Sequence, residues 1–207
     1  MSLLDSFFAM TYDRMMGKTE EAGVRDMRKR LLADAKGRVL EIGSGTGANV
    51  PWYGPEVESL TMTEPSTPMV RRLERRLTEL GSAATVLRAP AEDLPFESGT
   101  FDVAVSTLVL CGVDDQPRAL RELRRVLRPG GALLFFEHVR AEDAKRARQQ
   151  DKMNWLNRIV VRCDCNRPTL ASIERAGFTV TTLEHTTFPK APAFVSPVII
   201  GVAVKPA

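Results

Sequence analysis

The stretch Arg38-Val-Leu-Glu-Ile-Gly-Ser-Gly-Thr-Gly47 decides the fold. Arg38 to Ile42 is a short apolar run that reads as a buried strand, and it feeds directly into Gly43-Ser-Gly-Thr-Gly47. Glycines there let the backbone turn sharply and approach a ligand closely. They stand at the carboxyl end of a strand, where α/β sheets place ligands. A tight strand-to-helix turn alone would use the same residues.

Working outward, strand-like and helix-like segments alternate, which predicts an α/β fold with a mostly parallel sheet. Val57 to Thr63 reads as the second strand, and a helix from Met69 to Leu80 ends at Gly81. Thr85-Val-Leu is a short third strand, and Phe101 to Thr107 is apolar enough to be central. Helix Pro117 to Leu127 closes at Pro129-Gly-Gly131, and strand Ala132 to Glu137 follows at once. A variable region then runs to about Cys165. After it come helix Pro168 to Ala176, a strand from Phe178 to about Glu184, and a last strand Pro197 to Val204. No helix separates the last two strands, so they should pair antiparallel. On the other side, a helix from about Glu20 to Ala35 leads into the first strand. Before it, Leu3, Leu4, Phe7, Phe8, Thr11, Tyr12, Met15 and Met16 recur at helical spacing.

The 207 residues suffice for one domain with a sizeable core and are too few for two ordinary ones. Net charge is only +3, and acidic and basic residues interleave along the helices, which argues against nucleic acid as a partner. No apolar run reaches the roughly 18 residues of a membrane span, and no secretory signal opens the chain. Three cysteines, two of them adjacent but one, make no disulfide framework, so a cytoplasmic setting is expected. Cys163-x-Cys165 with a distant Cys111 falls short of a closed four-ligand zinc site, so no metal is expected. Nothing in the sequence sets an oligomeric state.

Two carboxylates sharpen the glycine turn. Glu41 lies two residues before Gly43, and Glu64 ends the second strand, 21 positions after Gly43. An acidic residue about 20 positions on is placed to meet a ribose hydroxyl pair. Dinucleotide sites use Gly-x-Gly-x-x-Gly to seat a pyrophosphate on the helix N-terminus. Here the third glycine comes one residue early and position 48 is Ala, so a ligand without pyrophosphate fits better.

These residues carry a family resemblance. Val-Leu-Glu-Ile-Gly-Ser-Gly-Thr-Gly at 39–47 resembles motif I of class I S-adenosylmethionine-dependent methyltransferases. Glu64-Pro-Ser resembles their ribose-binding loop. Ala91-Glu-Asp-Leu-Pro-Phe96, with Phe101-Asp-Val103, resembles the adenine-side loop and fourth strand, and Leu127-Arg-Pro-Gly-Gly131 the turn before the fifth. The resemblance implies a Rossmann-like seven-stranded sheet of order 3-2-1-4-5-7-6, the seventh strand antiparallel, with helices on both faces. It also implies S-adenosyl-L-methionine as cofactor, released as S-adenosyl-L-homocysteine. The cofactor site would comprise Tyr12, Glu41, Gly43, Ser44, Gly45, Gly47, Glu64, Pro65, Met69, Ala91, Glu92, Thr107 and Leu108. Many relatives place Asp before the adenine-loop Ala. Here Pro90 stands there, with no side-chain acceptor, which leaves more of that contact to Ala91 and Glu92.

Gly-Thr-Gly-Ala-Asn at 45–49, Ser-Thr-Leu-Val-Leu-Cys at 106–111, Phe-Phe-Glu-His-Val at 135–139 and Cys165-Asn-Arg-Pro-Thr are similar to methyltransferase-like proteins whose mammalian members methylate alkyl thiols at microsomal membranes. Those proteins carry a hydrophobic N-terminal anchor, whereas this chain begins with a shorter amphipathic segment, so membrane residence is not carried over. Tyr12-Asp13 resembles the N-terminal tyrosine pair that closes over the cofactor in related enzymes. With Asp5 and Asp13 against a single Arg14, a lid or packed helix is favoured over an interfacial one. Peripheral membrane contact stays open.

On the substrate side, His138 follows the fifth strand, where a neutral imidazole can take a proton from an acceptor; a strand-end histidine bonded to backbone is the alternative. His185 reads as structural and Cys111 as a small buried hydrophobe. The expectation is one methyltransferase domain over 1–207. Residues 1–36 would form a helical lid, 37–207 the core, and 138–168 a variable substrate-side insertion. A small-molecule acceptor is expected, thiol first on the resemblance. N- or O-methylation of a lipid headgroup, quinone or natural-product intermediate comes next. A non-catalytic cofactor-binding partner is the rival of another class, and the spacing at Gly47 argues against a nicotinamide oxidoreductase.

Overall fold

The apolar run before the glycine turn forms the centre of the sheet. Strand β1 (Gly37–Ile42) sends Val39 to one face and Leu40 and Ile42 to the other, all fully buried. The computed structural model describes Arg14 and residues 16–207; Tyr12 and the apolar positions from Leu3 to Met15 lie outside them. Around β1 assemble β2 (Val57–Thr63), β3 (Thr85–Leu87), β4 (Phe101–Thr107), β5 (Leu127–His138), β6 (Thr179–Thr187) and β7 (Pro197–Val204). Their order is β3-β2-β1-β4-β5-β7-β6, as the resemblance implied. β7 runs antiparallel to both β5 and β6, and the other pairs are parallel. Parallel strands covered on both faces read as near-continuous apolar runs, which is why β1 and β4 were legible.

Helix α1 (Arg25–Leu32) covers one face through Leu31 and Leu32. Helix α2 (Thr67–Leu80) packs Leu73 and Leu77 on Met62 of β2, with Gly81 at its C-cap. Helix α3 (Gln116–Val126) covers the other face with Ala119, Leu120, Leu123 and Val126, capped where Asp115 accepts from the Arg118 amide at 2.9 Å. Helices α4 (Ala144–Val161) and α5 (Thr169–Arg175) follow later in the chain.

The structure departs from the sequence expectation in three places. The helix expected over Glu20 to Ala35 is broken: a π-helical turn (Glu20–Val24) precedes α1, with a non-helical φ of 136° at Gly23. Pro129-Gly-Gly131 does not stand outside the fifth strand. β5 starts at Leu127, and those residues form a register shift between the pairs Phe101–Leu127 and Val103–Ala132. The variable region contains α4, an 18-residue helix that no apolar periodicity announced. Its buried face carries Gln150 and Asn157 beside the small Ala147, with no large aliphatic side chain fully buried.

Candidate functional site

The turn after β1 is shaped by what lies against it. Gly43 has φ +56°, and a Cβ there would stand 2.6 and 2.7 Å from the two methyl carbons of Val109. An L side chain is excluded both by conformation and by contact. Gly47 plays a different part: a Cβ would meet Leu73 of α2 at 2.8 Å, so it serves close strand–helix packing. Glu64, at the end of β2, locks the turn. One carboxylate oxygen accepts from the Gly45 amide at 3.0 Å and the other from the Ser66 amide at 2.9 Å. Burial raises its pKa, and those two bonds only partly offset the shift. A carboxylate offers about four acceptor positions, so Glu64 keeps capacity toward the cleft beside it.

That cleft, of about 520 Å³, opens at the carboxyl ends of β1, β2 and β4. Of the residues singled out from sequence, Gly43, Gly45, Glu64, Pro65, Met69, Ala91, Glu92 and Leu108 line it. Pro90 lines it too, at the position where relatives place an acid. Glu92 also braces the wall, accepting from the Asp114 and Asp115 amides at 2.8 and 3.2 Å. A larger groove of about 870 Å³ lies beside Gly37, Asp102 and Gly130, at the opposite edge of the sheet. Ligands of α/β sheets bind at the carboxyl edge, so the smaller cleft is the candidate site.

Glu41, Ser44, Gly47, Thr107 and His138 do not line the cleft. Glu41 and Thr107 belong to a buried network beneath it. Glu41 accepts from Asn49 Nδ2 at 3.1 Å and from the Tyr53 hydroxyl at 2.5 Å. Arg28 Nη1 donates to Asn49 Oδ1 at 2.9 Å and to Thr107 Oγ1 at 3.0 Å. Burial pushes Glu41 up to about 7 even with these partners. The network ties α1, β1, β4 and the segment after the glycine turn into one unit. Asn49 was visible in the quoted motif, whereas nothing local marks Arg28 as a core residue.

The wall after β4 is positioned by Glu137, which the sequence reading passed over. It is fully buried and accepts from Ser106 Oγ at 2.6 Å and from the amides of Val109 and Cys111 at 3.0 and 3.2 Å. Leu108, between them, is held at φ +61° on the cleft surface. His138 turns away from the cleft. Its ring packs on Phe188 with centroids 5.1 Å apart, and Nδ1 is buried without a partner among the described residues. Burial lowers its pKa to about 4, against backbone hydrogen bonds with Val195 and Pro197 that act the other way. The placement is that of a packed histidine. His185, at 49 % side-chain exposure, sits 3.9 Å from Glu142.

The far half of the cleft is walled by Val109, Val113 and Val161, with Arg158, Arg162 and Arg167 around them. Asp164 lies between two of these cations, 2.7 Å from Arg167 and 4.0 Å from Arg158. Cys111, Cys163 and Cys165 are free, buried and packed together behind this wall. The hydrogen bond with Cys163, followed by burial, pushes the Cys111 thiol up. No group of residues fit to hold a metal ion occurs among the described residues.

A methyltransferase domain family matches residues 40–135. The human thiol S-methyltransferase TMT1A is 34% identical over 203 residues, covering 96% of this chain and 83% of that protein. A phosphatidylethanolamine N-methyltransferase of Cereibacter sphaeroides is 28% identical over 79% of this chain and 84% of its own length. Among solved structures, an S-adenosylmethionine-dependent methyltransferase of Thermotoga maritima, described as a possible histamine N-methyltransferase, shares the fold. Its TM-score is 0.73 at 24% identity, over 97% of both chains.

Proposed function

The chain belongs to the class I S-adenosylmethionine-dependent methyltransferases, and from that premise we propose that it methylates the sulfur of small thiols. The whole chain is assigned to one catalytic domain. The cofactor half of its cleft is formed by Gly43, Gly45, Glu64, Pro65, Met69, Ala91, Glu92 and Leu108. These residues fit the cofactor: at Gly45, φ +55°, only the Gly43 carbonyl at 4.0 Å stands where a Cβ would project, which leaves the turn open to the cleft, and Glu64 retains acceptor positions for a ribose hydroxyl pair. Glu41, Ser44, Gly47 and Thr107 support this half from outside the cleft, and Tyr12, which lies outside the described residues, is kept in the proposal as part of the lid. When bound, S-adenosylmethionine supplies an electrophilic methyl group on a sulfonium.

The observation that carries the thiol reading is the acceptor half of the cleft, apolar at Val109, Val113 and Val161 and rimmed by Arg158, Arg162 and Arg167, in a chain 34% identical to a human thiol S-methyltransferase. A thiol attacks as its thiolate, a stronger nucleophile than a neutral amine or phenol and one that nearby cations favour. The guanidinium groups of Arg158, Arg162 and Arg167 favour the thiolate, damped by Asp164. Val109, Val113 and Val161 hold an apolar acceptor in line and keep water out. With the cofactor held there, the acceptor sulfur would take its methyl, S-adenosylhomocysteine would leave with the electron pair of the broken bond, and the thiol proton would pass to solvent. The relatives named above support the same order of preference, thiol before lipid amine. Three buried free thiols fit the reducing, cytoplasmic setting expected from sequence.

An acceptor panel of alkyl thiols, amines and phenols tests this. Thiol turnover whose kcat/KM rises with pH along the acceptor's own ionisation is expected. Turnover of amines or phenols with none of any thiol would overturn it.

A further inference from the structure

Helix α4 is built inside out. The side it turns to the protein sets two polar residues beside Ala147 and Val161. Gln150 Nε2 donates to the carbonyls of Val139 and Cys165 at 3.0 and 2.8 Å, and Asn157 Nδ2 to that of Cys163 at 2.6 Å. The side it turns to solvent is apolar: Trp155 is 63% exposed, Ile159 72% and Val160 53%, with Leu156 beside them. Among the described residues, every exposed large hydrophobic except Leu80 and Leu183 lies on this helix. Single exposed hydrophobics need no explanation, but a contiguous patch marks an interaction surface.

Charge narrows the occupant. Arg148, Lys152, Trp155, Ile159 and Arg162 follow one another at helical spacing along a single exposed stripe. Asp151 is the only carboxylate of α4, and both its oxygens accept from Arg140, at 2.6 and 2.9 Å. A tryptophan among aliphatic side chains, flanked by Lys and Arg, is the chemistry of a helix lying in a lipid interface. A second copy fits poorly, because a two-fold pairing sets the same cationic stripe against itself.

We propose that this face of α4 docks on an anionic phospholipid surface, with Trp155 and Ile159 entering the headgroup boundary and Arg148 and Lys152 meeting the phosphates. Arg158, Val161 and Arg162, at the end of the same helix, line the cleft, so docking sets the cleft mouth against the bilayer. Delivery of apolar thiols from the lipid phase would follow, and that consequence rests on the acceptor reading above; the docking itself does not.

The test is flotation of the full chain with vesicles of phosphatidylcholine alone or of equimolar phosphatidylcholine and phosphatidylglycerol, with S-adenosylhomocysteine titration as a separate control. Binding to the anionic vesicles that weakens with salt is expected. Trp155→Ala/Ile159→Ser should reduce partitioning at least about tenfold, from the apolar area withdrawn. Arg148→Glu/Lys152→Glu should remove the preference for anionic lipid. Both pairs should keep the wild-type thermal midpoint and ligand affinity. Equal flotation of wild type and the Trp155/Ile159 variant would overturn the proposal, since another segment would then hold the bilayer. So would failure of the wild type to float, or a wild-type dimer that the same variant dissociates.

Discussion

Replacing Gly43 by Ala isolates the geometry of the cofactor turn. At φ +56° an L residue pays about 1–2 kcal/mol in backbone strain. The added Cβ also stands 2.6 and 2.7 Å from the Val109 methyl carbons, where ordinary contact is about 3.5–4.0 Å, so Val109 must move by roughly 1 Å. Overpacking of this kind costs about 1–3 kcal/mol. The sum, roughly 2–5 kcal/mol, corresponds in a chain of this size to a fall in Tm of about 4–20 °C. Val109 lines the cleft and its amide is held by Glu137 at 3.0 Å, so its displacement reaches the bound ligand. A displacement of that size should weaken binding measurably, and it can cost up to about 100-fold in turnover. Thermal unfolding and calorimetric titration with S-adenosylhomocysteine read both effects. Val109→Ala in the same background should recover part of each, with a coupling energy of about 1–3 kcal/mol. Unchanged Tm and affinity in Gly43→Ala, or strict additivity in the double variant, would refute the reasoning.

Glu64→Ala should weaken S-adenosylhomocysteine binding by roughly 10- to 100-fold, through loss of charge-assisted hydrogen bonds; calorimetry showing no loss would reduce Glu64 to a brace for Gly45 and Ser66. Arg28→Met strands Glu20, Asn49 and Thr107 and should cost about 3–5 kcal/mol in urea unfolding; a loss within the error of the extrapolation contradicts the network. Two further variants shift the pH dependence of stability in opposite senses. Glu41 is raised from 4.5 to about 7, so the folded protein keeps a proton that the unfolded chain releases, and its contribution falls as pH rises through that window. His138 is lowered from 6.5 to about 4, so the unfolded chain binds the proton, and its contribution rises with pH. Between pH 4.5 and 6.5, Glu41→Gln should therefore gain stability relative to wild type as pH rises, and His138→Gln should lose it. Each change should reach roughly 2–3 kcal/mol, and curves parallel to wild type would contradict both assignments.

The parts of the fold that were legible are those where local pattern and burial agree. β1 and β4 are apolar because both faces of the sheet are covered, and Glu64 stands out because the length of the intervening segments sets its spacing from Gly43. Helix α4 escaped because two of its three buried residues, Gln150 and Asn157, make hydrogen bonds and the third is only Ala147, which leaves no apolar stripe to count. Arg28 escaped because its partners lie 21 and 79 positions away, and an arginine in a helix reads as solvated until the chain closes over it. His138 was rightly placed at the end of β5, but which side it faced depended on Phe188, a residue no local pattern links to it. The half of the cleft proposed for the cofactor was thus flagged by short motifs at 43–47, 64–66 and 91–96, while the half proposed for the acceptor is assembled from segments with no such motif.

The central claim is tested most directly by isothermal titration of the protein with S-adenosylhomocysteine, using NAD as the control ligand. Micromolar binding of S-adenosylhomocysteine, weakened by Glu64→Ala, with no heat from NAD, is the predicted result. Binding of NAD in its place, or no binding of S-adenosylhomocysteine, would contradict the account.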